Sequence, residues 1–238
     1  MTKFCTKCGR ALEEGQVCDC QANQPVAASS TSSVDVSKYV NSYLEVLKGI
    51  FTKPVDTIKK FVTESNFVLG IIALVIKCII SGIFVYFLAK EALGAVLEVM
   101  GAGDGFASMI SDDIPFMKVF IYGFLFVAVW HLVIAGMVFL IANVIMKDKI
   151  SFKDSLILVA IPSVFTTVTT LVALVTLYIS STVMFIVLAL ATVFYLVYLA
   201  QGLRAKTEID ANKFAYVFVP SIAVAYFVVC YVLPKIFG

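Results

Sequence analysis

Five stretches of the chain are almost continuously apolar: 67–89, 119–146, 155–178, 182–203 and 214–237. About 20 helical residues cross a hydrocarbon core of about 30 Å, so each stretch predicts a membrane-spanning helix. Only "YISS" separates the third from the fourth, which predicts a tight hairpin. The second is longer than a crossing requires, so it tilts or runs past the interface. Upstream, "VSKYVNSYLEVLKGIF" sets Tyr39, Val40, Tyr43, Leu44, Leu47, Ile50 and Phe51 at helical spacing, opposite Lys38, Asn41, Glu45 and Lys48. That pattern predicts an amphipathic helix, lying in the membrane interface or packed on the protein's own loops. Pro54 opens a second short amphipathic turn with Val55, Ile58, Phe61 and Val62 on one side. Proline suits a first helical position, where its missing donor would be unpaired anyway.

Composition agrees. The 238 residues are 61% hydrophobic and 14% charged, with a mean hydropathy of +1.00. Soluble domains average roughly 45–50% apolar and about 25% charged residues, and so few charges cannot build a solvated surface. Residues 1–24 are polar and lack an apolar core, so no secretory signal peptide is expected.

The net charge of +2 says little; the placement of charges says more. Lys48, Lys53, Lys59 and Lys60 precede the first span. Lys147, Lys149 and Lys153 follow the second, and Arg204, Lys206 and Lys213 follow the fourth. The intervening loop 90–118 has basic residues only at its edges and holds Glu91, Glu98, Asp104, Asp112 and Asp113. Cytoplasmic loops are enriched in Lys and Arg, so the expected orientation in a plasma membrane is N-terminus inside and C-terminus outside.

Cytoplasmic placement bears on "FCTKCGRALEEGQVCDC". In a reducing compartment disulfides are disfavoured, which leaves metal. Cys5, Cys8, Cys18 and Cys20 supply four soft ligands suited to tetrahedral zinc. Gly9 permits the left-handed turn that aims backbone N–H groups at the sulfurs. A segment this short buries no core, so a structural Zn2+ would supply its folding energy, about 10–16 kcal/mol in comparable peptides. A disordered cysteine-rich tail, a redox pair and a rubredoxin-like iron site are the alternatives. The segment is similar to the short zinc ribbon at the start of bacterial membrane proteins, which repeats C-x-x-C-G twice. Here "CDC" replaces the second repeat, leaving open whether Cys18 and Cys20 bind the same ion.

The "F-x-x-P" step at Phe51–Pro54, the amphipathic lead-in, five spans, the tight third-to-fourth hairpin and the short outer C-terminus together resemble the Yip family over about residues 45–238. The resemblance implies a five-span membrane protein of the bacterial type with an N-terminal zinc ribbon. Eukaryotic members bind Rab GTPases and help shape secretory membranes. Their glycine- and tyrosine-bearing signature is missing here, so Rab binding is not carried over.

Within the spans, Lys77 and His131 stand near mid-membrane, and "PSVFTTVTT" presents Ser163, Thr166 or Thr167, and Thr170 as a hydroxyl stripe. A mid-membrane lysine costs about 2.5–3.5 kcal/mol on insertion scales, so Lys77 should face the bundle. Lys77 and His131, with Ser163, Thr167 and Thr170, are candidates for an intramembrane polar site on an ion or proton path. The plainer expectation is that Lys77 finds carbonyls, hydroxyls or a water pocket and that His131 packs as a neutral, hydrogen-bonded residue. No carboxylate lies within a span to complete a relay. Asn143, Gln201 and Arg204 are candidates for a polar cluster at the inner interface, and Pro162 should loosen or kink the third span. Cys78 and Cys230 are expected to be small hydrophobes. "MGAGDG" lacks the lysine and following helix of a phosphate loop.

The expected architecture is therefore an all-α membrane protein: a cytosolic zinc ribbon (1–22), a flexible linker (23–35), an amphipathic interfacial segment (36–64) and a five-span domain (65–238). No catalytic constellation appears, which favours a non-enzymatic adaptor or scaffold. Its expected partners are the lipid bilayer, a cytosolic protein bound through the ribbon, and further copies of itself; nucleic acid is not expected. The alternative is a small permease or channel subunit with a polar cavity around Lys77 and His131.

Overall fold

The computed structural model describes residues 3–4, 11–12, 36–101, 114–145, 147, 150–207, 218–219, 222–223 and 227. Cys5, Cys8, Cys18, Cys20, Cys230, the linker and loop residues 102–113 lie outside them. Of the expected fifth span, only Phe218, Val219, Ile222, Ala223 and Phe227 are described, all helical. The chain divides into two units, Met1–Lys38 and Tyr39–Gly238. In the first, β1 (Lys3–Phe4) and β2 (Ala11–Leu12) pair antiparallel, with Lys3 opposite Leu12 and Phe4 opposite Ala11.

The second unit is helical. α1 (Val36–Thr52) leads into α2 (Pro54–Phe61), with Pro54 at the start of α2 as its fixed φ favours. Both pack on the bundle: Val46, Ile50, Ile58, Phe61 and Val62 join the main core, with Tyr39, Tyr43 and Leu47 against it. Val40, Leu44 and Phe51, expected on the same face, are instead about half exposed. The buried stripe is thus rotated toward Val46, because α1 must meet both α2 and the bundle. The backbone approach at Gly49 is close, since a Cβ there would sit 2.2 Å from Thr57 Oγ1. Lys60 pairs with Glu45 across the two helices.

Among the described residues, four helices are long and apolar enough to cross a membrane: α3 (Phe67–Val99), α4 (Phe116–Leu140, continued by a π-helical turn, Ile141–Ile145), α5 (Phe152–Leu177) and α6 (Ser181–Lys206). α3 runs ten residues past the expected end. Its 33 residues span about 50 Å, well beyond a hydrocarbon core of about 30 Å. α5 is the central element, in contact with α3, α4 and α6, and every residue from Asp154 to Val164 is buried. It stays a single helix through Pro162. The hairpin to α6 is as tight as the sequence predicts: α5 ends at Leu177 and α6 begins at Ser181.

Lipid is as apolar as leucine, so close backbone approach rather than hydrophobic burial holds such helices together. A Cβ on Gly123 of α4 would lie 2.8 Å from Val85 Cβ and 3.1 Å from Gly82 Cα, both on α3. Gly202 of α6 similarly faces Leu158 and Ile58.

At one end of the bundle, Ser151 caps α5 in a reciprocal box with Asp154. Asp154 also accepts a 2.5 Å hydrogen bond from Lys206 of α6. Asn143 donates to the carbonyls of Phe139 and Ile150, each at 2.9 Å, tying the π turn to the start of α5. The Asn143 amide is thus given to backbone carbonyls, and Asp154 pairs with Lys206 at the same end. α2 packs against α5 and α6 at this same end, which gathers Lys59, Lys60, Lys153 and Lys206 there.

Candidate functional site

The stripe Leu69, Ala73, Lys77 and Ser81, spaced four apart, forms the buried face of α3 and aims Lys77 at α5. Lys77 is only 8% exposed. Its ammonium donates to the Thr166 carbonyl at 3.0 Å and to Thr170 Oγ1 at 2.7 Å. Thr170 Oγ1 in turn donates to the same Thr166 carbonyl at 2.7 Å. The three groups close a triangle in which one hydroxyl both accepts from the lysine and donates to the backbone. Two of the ammonium's three donors are thereby placed.

Not all of the predicted hydroxyl stripe takes part. Ser163 Oγ donates to the Ala160 carbonyl and Thr167 Oγ1 to the Ser163 carbonyl; both are buried, and neither faces Lys77. They are hydroxyls satisfied within their own helix. Thr166 and Thr170, four residues apart, form the face that meets Lys77.

α4 and α6 each pack along α5 but scarcely touch one another. Between them lies a cavity of about 410 Å³. Lys77 and Ser81 enter it from α3, Thr166 and Thr170 from α5, Trp130 and His131 from α4, and Thr192 and Tyr195 from α6. Phe126, Ile134, Leu188, Leu196 and Ile222 supply apolar wall. His131 Nδ1 donates to the Val127 carbonyl at 2.7 Å, so in the neutral ring Nε2 is left as an acceptor. The His131 and Tyr195 rings meet edge-on with centroids 6.1 Å apart, spanning the gap between α4 and α6.

The structure thus brings Lys77, His131 and Thr170 onto one cavity and leaves Ser163 and Thr167 outside it. Ser81, Trp130, Thr192 and Tyr195 were not singled out in the sequence, although Ser81 stands one helical turn from Lys77 and Trp130 adjoins His131. Among the described lining residues there is no Asp, Glu or Arg, so the cavity presents a cation and several hydrogen-bonding groups without an anion. Such a set can hold a small solute by one charge and a few hydrogen bonds.

Compared with models of protein families, with curated proteins and with solved structures, the chain matches none.

Proposed function

We propose that the helical bundle is a solute-binding membrane unit of the small permease or channel-subunit class, with Lys77 as its central contact. The supporting observation is the convergence of Lys77 and His131, 54 positions apart in sequence, on one cavity of about 410 Å³. That volume falls within the roughly 300–1,000 Å³ of small-molecule sites, and the composition fits them too: apolar walls with a few placed polar groups. In this proposal the chain has five spans, with its N-terminus and basic end cytoplasmic, and is not an enzyme.

A thermal-unfolding screen of the full-length protein in nanodiscs tests this, with wild type beside Lys77→Leu and small carboxylates, phosphates, amines and polyols as probes. A ligand that binds only the folded state stabilises it by about 2.7 kcal/mol at a hundred times its Kd. A class that raises the Tm of wild type and not of the variant supports solute binding; no shift by any class counts against it.

A second role, as a non-enzymatic adaptor, is favoured by a different observation. Residues 1–38 form a unit of their own, and the β1–β2 pair brackets the segment holding Cys5 and Cys8. Pairing the flanks of a C-x2-C segment suits a small metal-held module that recruits a cytosolic partner. Structural zinc on Cys5, Cys8, Cys18 and Cys20 and the Yip resemblance belong to this proposal. Loss of a crosslinked partner in the Cys5→Ser/Cys8→Ser variant, at matched membrane levels, supports it; an unchanged partner set counts against it.

A further inference from the structure

We infer that the Lys77 cavity takes a monoanionic amphiphile, a carboxylate with an apolar body of medium length, with its head on Lys77 and its body in the gap between α4 and α6. The inference rests on the solute-binding proposal above and adds the chemical class.

Charge sets the head group. Lys77 is 8% exposed, and its described partners, the Thr166 carbonyl and the Thr170 hydroxyl, are neutral. A buried charge is costly unless paired, and no Asp or Glu lines the cavity among the described residues. The ligand therefore supplies the counter-ion and the acceptor for the third N–H. One lysine matches one negative charge. A phosphate head calls for the bidentate fork of arginine or for several cations, and no Arg is among the described lining residues. An alkylammonium would meet a like charge.

The walls set the body. The cavity's apolar lining includes Phe126, Trp130, Leu188, Leu196 and Ile222, which offer contact area and few hydrogen bonds. At roughly 30 Å³ for a water-sized group, 410 Å³ holds about a dozen non-hydrogen atoms. That suits a carboxylate of about eight to ten carbons.

The test uses Trp130, the single tryptophan of the chain, which lines the cavity. Its emission is followed for the full-length protein in phosphatidylcholine nanodiscs during titration with octanoate, octanol, octyl phosphate or octylammonium. Octanoate is expected to give a saturable change, with octanol at least about tenfold weaker. Binding should weaken about tenfold to a hundredfold in Lys77→Met, the usual worth of a charged hydrogen bond. Ala191→Phe, which fills the cavity but keeps Lys77, should abolish the response, and Val193→Phe on the exposed face of α6 should leave it unchanged. Octanol, octyl phosphate or octylammonium saturating as tightly as octanoate, and depending on Lys77, would overturn the carboxylate assignment while leaving a binding site. Equal octanoate responses in wild type, Lys77→Met and Ala191→Phe would mean partition into lipid and overturn the inference. If no probe saturates with folded wild type, the solute-binding proposal falls with it.

Discussion

Lys77 Nζ and Thr170 Oγ1 lie 2.7 Å apart across the α3–α5 contact, and the hydroxyl passes its own hydrogen to the carbonyl that also receives the lysine. Removing the hydroxyl leaves a buried cation with one described acceptor. Thr170→Val should therefore destabilise the bundle by about 1–2 kcal/mol, within the range for losing a partner of a buried polar group. Lys77→Met removes the demand itself and should cost less. The double variant should resemble Lys77→Met, and a double-mutant cycle of reversible unfolding in bicelles measures the coupling. Additive effects would show that the two residues act separately.

The glycine contact between α3 and α4 allows a matched comparison. Gly123→Ala places a Cβ 2.8 Å from Val85 Cβ and 3.1 Å from Gly82 Cα and should cost about 1–3 kcal/mol through forced separation of the helices. Gly136, on the same helix, has open space where its Cβ would be. Gly136→Ala should be neutral or stabilising by up to about 1 kcal/mol, as helix propensity dictates. Unfolding midpoints for the two variants check the difference in sign.

Asp154 has two tasks, capping α5 with Ser151 and pairing with Lys206. Asp154→Ala removes the ion pair and the carboxylate half of the box, while the backbone N–H of residue 154 still donates to Ser151 Oγ; it should cost about 2–3 kcal/mol, most of it from breaking a largely buried pair. Lys206→Met removes only the pair and keeps the cap, so it should cost less. Equal losses in the unfolding assay would show that the carboxylate half of the box adds nothing.

If Cys5, Cys8, Cys18 and Cys20 hold structural zinc, the purified protein should carry about one zinc per chain by elemental mass spectrometry, in line with a four-thiolate site. Cys5→Ser/Cys8→Ser should lose it, with the melting of the helical bundle unchanged.

The membrane helices were legible because bilayer thickness and side-chain transfer energies write directly into the sequence. Their ends were less so. Hydropathy falls at Lys90 and Glu91, yet α3 continues to Val99 because "EALGAVLEV" is rich in helix formers and needs no lipid to stay helical. Lys77 and His131 stood out as polar residues in apolar runs, and both reach the cavity. Which threonines meet Lys77 was not readable. One residue turns a helix face by about 100°, so Thr166 and Thr167 point to different neighbours, and only the packing of α5 fixes which faces α3. The Asp154–Lys206 pair, 52 positions apart, and the splay of α4 from α6 belong to tertiary structure and leave no local mark.

Native mass spectrometry of the full-length protein, extracted gently and compared with Lys77→Met and Ala191→Phe, tests most directly whether the bundle binds a small solute at Lys77. Wild type is expected to retain a discrete small-molecule mass that both variants lose while remaining folded. A wild type free of any such mass, or the same mass held equally by all three proteins, would contradict a binding site at Lys77.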